Sequence, residues 1–326
     1  MTGALKPSWC FTACKTTALL GLCLTCIGYI YTIVYLISLP QIKIPNPIDK
    51  THSFRSDVGV PVDNTRSKVI TVALLIPVRS RHGTNDVSQL SLFQELLPSL
   101  LNSILCDIQS NIQFSFYIGY DAGDPFYDDK NHIDAIISAY ENMWHRTTKY
   151  FQLILPPQFH VQRFVGFLSS PCWVWNGLAT HAYNDGIQYF MQINDDTRIL
   201  TRCWARTLVS VLERNPYNMG VVGPLELNNP KLLTQAMVSR THYTIFNTLY
   251  PHSFRNWYSD DWLSLVYGQS STFMVDNVQM RNSNTQGTRY KKATEVASTL
   301  EVEVDKGKRR IQSWLKKKKN NELNAP

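Results

Sequence analysis

The sequence predicts an α/β fold in which a mostly parallel sheet carries helices on both faces and follows one transmembrane helix. Two observations predict the sheet. The run "VITVALLIPV" at residues 69–78 is apolar throughout, and strand and helix patterns alternate five times between residues 69 and 222. Parallel strands are buried on both faces and are joined by helices, so both patterns are typical of such a sheet. A third observation, the uncharged residues 16–39, predicts the membrane helix.

Residues 16–39 would form a helix about 36 Å long, enough to cross a hydrocarbon core of roughly 30 Å. A cleaved signal peptide is the alternative, but its apolar region is shorter, about 7–15 residues. We therefore predict a short cytoplasmic segment at 1–15, an uncleaved anchor at 16–39, and an extended stem at 40–67, where four prolines occur. The short leading segment and the large following domain favour translocation of the body.

The net charge of +7 is confined to the end of the chain. From residue 281 onwards there are 12 of the 32 Lys and Arg and 5 of the 25 Asp and Glu, which leaves 20 of each sign in residues 1–280. The body is therefore neutral, and the composition does not indicate a nucleic-acid-binding surface. We predict residues 291–326 to be a basic tail that forms a solvated or frayed helix.

Seven cysteines divide between the first apolar segment and the body. None of the body cysteines belongs to a Cys/His cluster with zinc spacing. Three body cysteines allow one disulfide, for which we predict the pair Cys172–Cys203. The cysteines in or near the first apolar segment are Cys10, Cys14, Cys23 and Cys26, and those in the body are Cys106, Cys172 and Cys203.

Periodicity predicts the elements of the body in chain order. The predicted strands are 69–78, 114–120, 151–155, 189–193 and 219–222. The predicted helices are 87–105, 131–150, 171–185, 201–214 with Thr201 as its cap, and 234–250.

Polar side chains follow three of the predicted strands. Ligands of parallel sheets bind beyond the carboxyl ends of the strands, so these side chains should meet at one rim. Mg²⁺ and Mn²⁺ prefer oxygen ligands and bridge carboxylates to substrate phosphates. The alternative is that Asp195 and Asp196 cap the following helix. The rim residues are Arg79 and Arg81 after the first strand, Asp121 and Asp124 after the second, and Asn194, Asp195 and Asp196 after the fourth.

Four stretches resemble the glycosyltransferases of the GT-A fold, the nucleotide-diphospho-sugar transferase type, which are built as type II membrane proteins of the Golgi. These stretches are "ALLIPVRSR", "FYIGYDAGD", "WNGLATHAYNDG" and "YFMQINDDTRI", within residues 69–290. The resemblance implies a metal site of Mn²⁺ or Mg²⁺ at Asp195 and Asp196. It also implies a nucleotide-sugar donor site formed by Pro77, Arg79, Asp121, Asn176 and Asn194.

The chain departs from that family at two points. Asn194 stands where the family's Asp-x-Asp motif usually has its first acid, so either Asp195 or Asp196 could be the direct ligand. No histidine follows His252, although many members complete the metal shell with a late histidine. Asn282 or water could take that place. For Asn176, a helix-start residue is the alternative.

The stretch "FRNWYSDDWLSLVYG" at residues 254–268 sets five aromatic rings around Asp260 and Asp261. Aromatic platforms beside carboxylates suit a sugar pocket, and inverting GT-A enzymes commonly place a catalytic acid here. One of the two carboxylates would deprotonate the acceptor hydroxyl. The alternative is that Ser259 or Asp260 caps a helix whose apolar residues are core.

The predicted organisation is therefore a nucleotide-sugar-binding half at 68–224 and an acceptor-binding half at 225–290. The predicted activity is metal-dependent transfer of a sugar to a hydroxyl of a glycan, protein or lipid, in the Golgi or ER lumen. A noncatalytic membrane-anchored domain that binds a glycan or a protein is the alternative. A nucleotidyltransferase is less favoured, because "PVRSRHGTND" has one glycine where such enzymes have a glycine-rich phosphate loop.

Overall fold

The computed structural model describes residues 69–151, 154–167, 170–283 and 297–323. They form a mixed α/β structure around one eight-stranded sheet of order β3-β2-β1-β4-β7-β6-β8-β5. The strands are β1 (Ile70–Pro77), β2 (Ile112–Asp121), β3 (Gln158–Phe164), β4 (Tyr189–Gln192), β5 (Thr197–Ile199), β6 (Val221–Glu226), β7 (Ala236–Ser239) and β8 (Thr272–Asn282). The α-helices are α1 (Leu97–Gln109), α2 (Lys130–Thr148), α3 (Pro171–Asn184), α4 (Trp204–Arg214), α5 (Arg240–Phe246), α6 (Ser259–Tyr267) and α7 (Ala297–Leu323).

Most strands of the sheet point the same way. β1 pairs in parallel with β2 and β4, β2 pairs in parallel with β3, and β6 pairs in parallel with β8. β7 lies antiparallel between β4 and β6, and β5 lies antiparallel to β8. The mostly parallel sheet is confirmed, whereas the two antiparallel strands were not predicted.

The sheet is covered on both faces. Val72, Leu74 and Ile76 of β1 pack with α1, α2 and α4 in one core cluster. Ala73 and Leu75 face the other way and pack with α3, α5, α6 and α7. Successive strand residues point to opposite faces, which explains why a central strand needs an unbroken apolar run. Helices on both faces are therefore confirmed.

The predicted third strand at 151–155 is wrong. β3 begins at Gln158, after Pro156 and Pro157, and residues 152–153 lie outside the described part of the chain. β3 is an edge strand of the sheet, and every side chain of "QFHVQRF" except that of Phe164 is at least partly exposed. An edge strand does not require apolar residues throughout, so its pattern carried little signal.

The predicted helix at 234–250 is also wrong in its first part. Ala236–Ser239 forms β7, which is buried and sits between β4 and β6. The helix starts only at Arg240, where the Ser239 hydroxyl accepts a hydrogen bond from the backbone N–H of Thr241 at 3.2 Å. Four residues are too few to show a period of two, so the strand could not be separated from the helix that follows.

The predicted disulfide Cys172–Cys203 is replaced by Cys106–Cys203, with a Cα–Cα distance of 5.4 Å. Cys172 is a buried free thiol at the start of α3, in the core cluster on the other face of the sheet from α4. Two cysteines on opposite faces cannot approach within bonding distance. Cys106 lies near the end of α1, which packs beside α4.

The start of α4 differs from the prediction as well. Its N-terminal neighbour is Cys203 in the left-handed conformation, with φ 56°, rather than Thr201. The capping carboxylate comes from α1: buried Asp107 accepts hydrogen bonds from the backbone N–H groups of Ala205 at 3.1 Å and Arg206 at 3.0 Å. The disulfide and this cap therefore fasten the same two helix ends together.

The basic tail is not a frayed helix over its described length. Val304 and Ile311 of α7 are buried against α5 and α6, and Trp314 meets the ring of Tyr217 edge to face at 5.6 Å. Gly307 permits this packing, because a Cβ at that position would lie 2.4 Å from Cγ2 of Val266. The lysines at 316–319 remain exposed.

We predict that Gly307→Val destabilises the protein by about 1–3 kcal/mol, because the added side chain cannot fit between α7 and α6. Thermal unfolding would measure the loss, and limited proteolysis would show earlier cleavage within α7. Lys308→Val is the matched control, since it adds the same side chain at the next, exposed position. Equal stabilities of the two variants would contradict the packing.

Within the described residues, no helix combines the length and apolar character that crossing a bilayer requires. The predicted cytoplasmic segment, anchor and stem, residues 1–15, 16–39 and 40–67, lie outside the described residues.

Candidate functional site

The carboxyl ends of β1, β2 and β4 meet at one edge of the sheet, because these three strands are parallel neighbours. β6 and β8 end at the same edge, since they run in the same direction. The residues before the antiparallel β7 also lie there. The predicted convergence of the three strand ends is therefore confirmed, and two adjacent cavities open at this edge.

The larger cavity, the rim cavity, has a volume of about 280 Å³. It brings residues of the predicted donor and metal sites together with one of the two predicted catalytic carboxylates. Three strands (β1, β4 and β8), the residues that follow β4 and precede β7, α3 and the start of α6 contribute to its wall. It is lined by Pro77, Pro171, Trp175, Gln192, Asn194, Asp195, Asp196, Thr234, Asn256, Trp257, Ser259, Asp260 and Asn282.

The turn at Asn194–Asp195–Asp196 leads into a strand, not a helix. The backbone N–H of Thr197 bonds to the carbonyl of Asn194 at 3.2 Å, and β5 begins at Thr197. The nearest helix, α4, begins at Trp204 and is capped by Asp107. The alternative that Asp195 and Asp196 cap the following helix is therefore wrong. Asp195 is buried, with 4 % of its surface exposed, at the wall of the rim cavity.

A hydrogen-bonded polar network supports this turn from β8 and β7. The side-chain oxygen of Asn282 accepts hydrogen bonds from the Thr197 hydroxyl at 2.7 Å and from the Gln235 side-chain amide at 2.6 Å. The Ser283 N–H donates to the carbonyl of Asp196 at 2.8 Å. Asn282, which the resemblance offered in place of a late histidine, thus lines the same cavity as the aspartates, but both lone pairs of its side-chain oxygen are already engaged.

The smaller cavity, about 110 Å³, adjoins the rim cavity and shares Pro77 and Pro171 with it. Arg79 and Asp121, two of the predicted donor-site residues, line it. Asp124 lines it too and ties the loops after β1 and β2 together. Its carboxylate accepts bonds from the backbone N–H of Ser80 at 2.8 Å and from those of Phe126 and Tyr127, both at 3.0 Å.

The first turn of α3 holds the segment that leads to α6. The carbonyl of Arg255 accepts bonds from the Ser170 hydroxyl at 2.7 Å and from the backbone N–H of Cys172 at 2.9 Å. One turn further along, the amide of Asn176 donates to the carbonyl of Tyr250 at 3.0 Å and accepts from its N–H at 2.8 Å. Asn176 lies in the helix interior and lines neither cavity, so the structure does not group it with the donor residues.

Asp260 and Asp261 are placed differently by the first turn of α6. Asp260 lines the same rim cavity as Asp195 and Asp196, whereas Asp261 does not line it. Burial, and then the nearby charge of Asp261, raise the pKa of Asp260 to about 6. The N-cap residue Tyr258 makes no side-chain capping bond, and the Asp260 carboxylate accepts a 3.2 Å hydrogen bond from the backbone N–H of Asp261.

The side-chain oxygen atoms at this edge suit a hard cation as ligands. Asp195, Asp196 and Asn194 present oxygens to one cavity, and Mg²⁺ and Mn²⁺ typically take one or two carboxylates and complete the shell with water and phosphate oxygens. Among the described residues, no group of three or more His, Cys, Asp and Glu is arranged as a complete metal site. The protein side chains present here would supply part of a coordination shell and leave room for a ligand.

Several residues of the rim cavity were not predicted. Gln192 is a polar residue at the end of the otherwise apolar "YFMQI", and that exception was the available signal. Asn256 and Trp257 lie in the aromatic stretch that was singled out for Asp260. Pro171 begins α3 and Thr234 precedes β7, and no sequence pattern marked either of them as a cavity residue. Trp175 also reaches the cavity, and its indole N–H donates to the carbonyl of Leu75 at 3.0 Å.

No family model matches this chain, and no curated protein matches it. Solved structures with low similarity to it include the following three. The catalytic domain of Drosophila beta-1,4-galactosyltransferase 7, solved with xylobiose, has 13 % identity over 72 % of this chain and 80 % of that one, with a TM-score of 0.39. A cytidylyltransferase from Leptospira borgpetersenii has 9 % identity over 64 % and 76 %, with a TM-score of 0.35. The UTP-bound UGPase from Acinetobacter baumannii has 8 % identity over 65 % and 88 %, with a TM-score of 0.36. These values are too low to transfer a function.

Proposed function

We propose that this chain is a metal-dependent glycosyltransferase of the GT-A type, which moves a sugar from a nucleotide-diphosphate donor to an acceptor hydroxyl. One observation carries the proposal. The rim cavity joins two adjacent carboxylates at a strand end, Asp195 and Asp196, to a third carboxylate, Asp260, whose pKa is raised to about 6. Metal-dependent transfer of a sugar requires a group that binds the cation and a base that accepts the proton of the acceptor hydroxyl. The two adjacent aspartates and Asp260 would supply them.

The two cavities divide the donor between them. The smaller cavity, with Arg79 and Asp121, would take the nucleoside, and the guanidinium would face the diphosphate. Asp195 and Asp196, with Asn194, would hold Mn²⁺ or Mg²⁺ against that diphosphate. When bound, the cation would neutralise the negative charge that collects on the leaving group. Pro77, which lines both cavities, would lie where the nucleotide passes from one to the other.

Asp260 would act as the general base of an inverting transfer. Its carboxylate takes the proton from the acceptor hydroxyl while that oxygen bonds to the anomeric carbon. The bond from the anomeric carbon to the phosphate oxygen breaks, and its electron pair leaves with the diphosphate. A carboxyl with a pKa near the working pH is well matched to this step. Trp257, at the cavity wall and 36 % exposed, would offer its ring to the sugar that accepts.

The compartment forms part of the proposal. The disulfide Cys106–Cys203 supports an oxidising compartment, since disulfides persist in the secretory pathway and are rare in the cytosol. This agrees with a single-pass type II protein of the Golgi or ER membrane with a lumenal catalytic domain. The acceptor would then be a glycan, protein or lipid that passes through that lumen.

Calorimetry of the full-length chain in detergent, with UDP- and GDP-sugars and Mn²⁺, tests the proposal. We expect heat of binding for at least one donor, lost when EDTA removes the cation, and release of the nucleoside diphosphate during turnover. A protein that binds glycans but gives no heat with any sugar nucleotide would instead be the noncatalytic glycan-binding domain.

The raised pKa of Asp260 gives a pH prediction. The base must be ionised, so kcat/KM should fall as the pH drops through about 6, and below that pH by about tenfold per pH unit. The charge of Asp261 contributes to raising this pKa, so Asp261→Asn should move the acid limb to lower pH. A pH–rate profile of the wild type and this variant would measure both.

Asp260→Asn supplies the control, because an amide cannot accept the proton and the transfer should be lost at every pH. An acid limb at the same pH in the wild type and in Asp261→Asn would contradict the assignment of that limb to Asp260.

A further inference from the structure

The side-chain amide of Gln192 forms a hydrogen bond through its nitrogen and, within the described part of the chain, none through its oxygen. It ends β4, only 2 % of its surface is exposed, and it forms part of the wall of the rim cavity. Its Nε2 donates a hydrogen bond to the carbonyl of Thr234 at 3.0 Å. Its Oε1 is buried and accepts no hydrogen bond from the described residues. A buried amide oxygen without a donor is costly, and most such atoms in folded proteins are paired.

The orientation of this amide is determined by its neighbour. A carbonyl oxygen can only accept a hydrogen bond, so the Thr234 carbonyl requires the nitrogen of Gln192 and excludes the flipped amide, which would set two oxygens together. The β4–β7 ladder fixes the backbone on both sides, with Gln192 opposite Ala236. Oε1 is therefore held as a hydrogen-bond acceptor.

A second buried glutamine nearby shows that the fold can satisfy such a group. Gln235, with 0 % exposure, uses both ends of its amide: Oε1 accepts from the Thr234 hydroxyl at 2.9 Å, and Nε2 donates to Asn282 at 2.6 Å and to Thr197 at 3.1 Å. Side chains that can form hydrogen bonds with a buried glutamine are thus present near this end of the sheet. Only Gln192, of these two, keeps an acceptor that the protein does not use.

We propose that Gln192 is a specificity-determining residue whose Oε1 accepts a hydrogen bond from one hydroxyl of the sugar being transferred. This rests on the proposed function. The sugar is bonded to the diphosphate, and Gln192 lies on the same strand end as Asp195, three residues before it, in the cavity that also holds Asp260. An acceptor atom selects for a hydroxyl at one ring position and in one configuration. A donor without that hydroxyl leaves Oε1 unpaired.

The test compares each parent sugar nucleotide with its monodeoxy analogues. UDP- and GDP-linked hexoses, xylose and N-acetylglucosamine are screened with Mn²⁺ on the full-length chain. The best donor is then replaced by analogues that lack one ring hydroxyl each. We expect the wild type to lose about 100-fold in kcat/KM for one analogue. Gln192→Met, similar in size and without an acceptor of comparable strength, should bring that ratio close to 1.

Two further variants separate recognition from packing. Gln235→Met breaks the neighbouring network and should lower the melting temperature while keeping the wild-type hydroxyl ratio. Gln192→Glu keeps an acceptor oxygen and, when protonated, can donate to the Thr234 carbonyl, so it should retain the ratio at mildly acid pH. Because the ratio compares two donors on one protein, a partial loss of folded material does not change it.

The outcomes distinguish this proposal from the function on which it rests. If a donor is turned over and Gln192→Met keeps the wild-type ratio at every ring position, the role of Gln192 is refuted and the glycosyltransferase remains. If the wild type neither binds nor turns over any sugar nucleotide in the panel, the proposed function itself is refuted, and the role of Gln192 with it.

Discussion

Asp195→Ala and Asp196→Ala should each reduce sugar transfer by about a thousandfold or more while the protein stays folded. The reason is that each would remove a negative oxygen ligand from the proposed cation site, which has few others to replace it. Both residues line the rim cavity, and the engaged side-chain oxygen of Asn282 leaves it no free lone pair to serve instead. Transfer assays with saturating Mn²⁺, together with Mn²⁺ binding by electron paramagnetic resonance, would measure the effect.

Asp128→Ala is the matched control. Asp128 is a carboxylate near the smaller cavity that lines neither cavity and pairs with Arg163 at 2.7 Å. Its loss should leave Mn²⁺ affinity unchanged. Asp195→Asn, which keeps the shape of this buried side chain, separates loss of charge from loss of packing. Full activity in both alanine variants at saturating Mn²⁺ would exclude the metal assignment.

Removal of the disulfide should have the largest effect on stability. Cys106 and Cys203 are 97 residues apart, and the cross-link restricts an unfolded loop of that length. Chain-entropy reasoning gives about 4.7 kcal/mol for such a loop. Cys106→Ser combined with Cys203→Ser should therefore lower the free energy of unfolding by about this amount in urea titrations.

Reductant provides the comparison for this prediction. Dithiothreitol should destabilise the wild type to the level of the double-serine variant and should not affect that variant further. Peptide mapping of non-reduced protein should find the Cys106 peptide joined to the Cys203 peptide. A Cys172–Cys203 linkage in that map would contradict the structure.

The sequence predicted best those parts of the fold whose burial is uniform. β1 was placed at 69–78 and runs Ile70–Pro77, because a central strand is apolar on both faces. The rim followed from the same logic, since parallel strands end at one edge and polar residues after them have to meet. Arg79, Asp121, Asp195 and Asp196 were therefore located without knowledge of the loops.

What the sequence did not predict depends on contacts between distant segments. The four residues of β7 and the half-exposed β3 carry too short or too weak a period. The disulfide required knowing that α1 and α4 share one face of the sheet while Cys172 lies on the other. Which of Asp260 and Asp261 faces the cavity depended on the rotation of α6, which no local pattern specifies.

Asn176 is expected to support the candidate site without lining it. Its two hydrogen bonds to the backbone of Tyr250 hold the loop that precedes Asp260 by ten residues. We expect Asn176→Ala to lower activity in an alanine scan, although Asn176 itself lines neither cavity. Such a loss would report a displacement of the segment that leads to α6 and not the loss of a group that binds the donor.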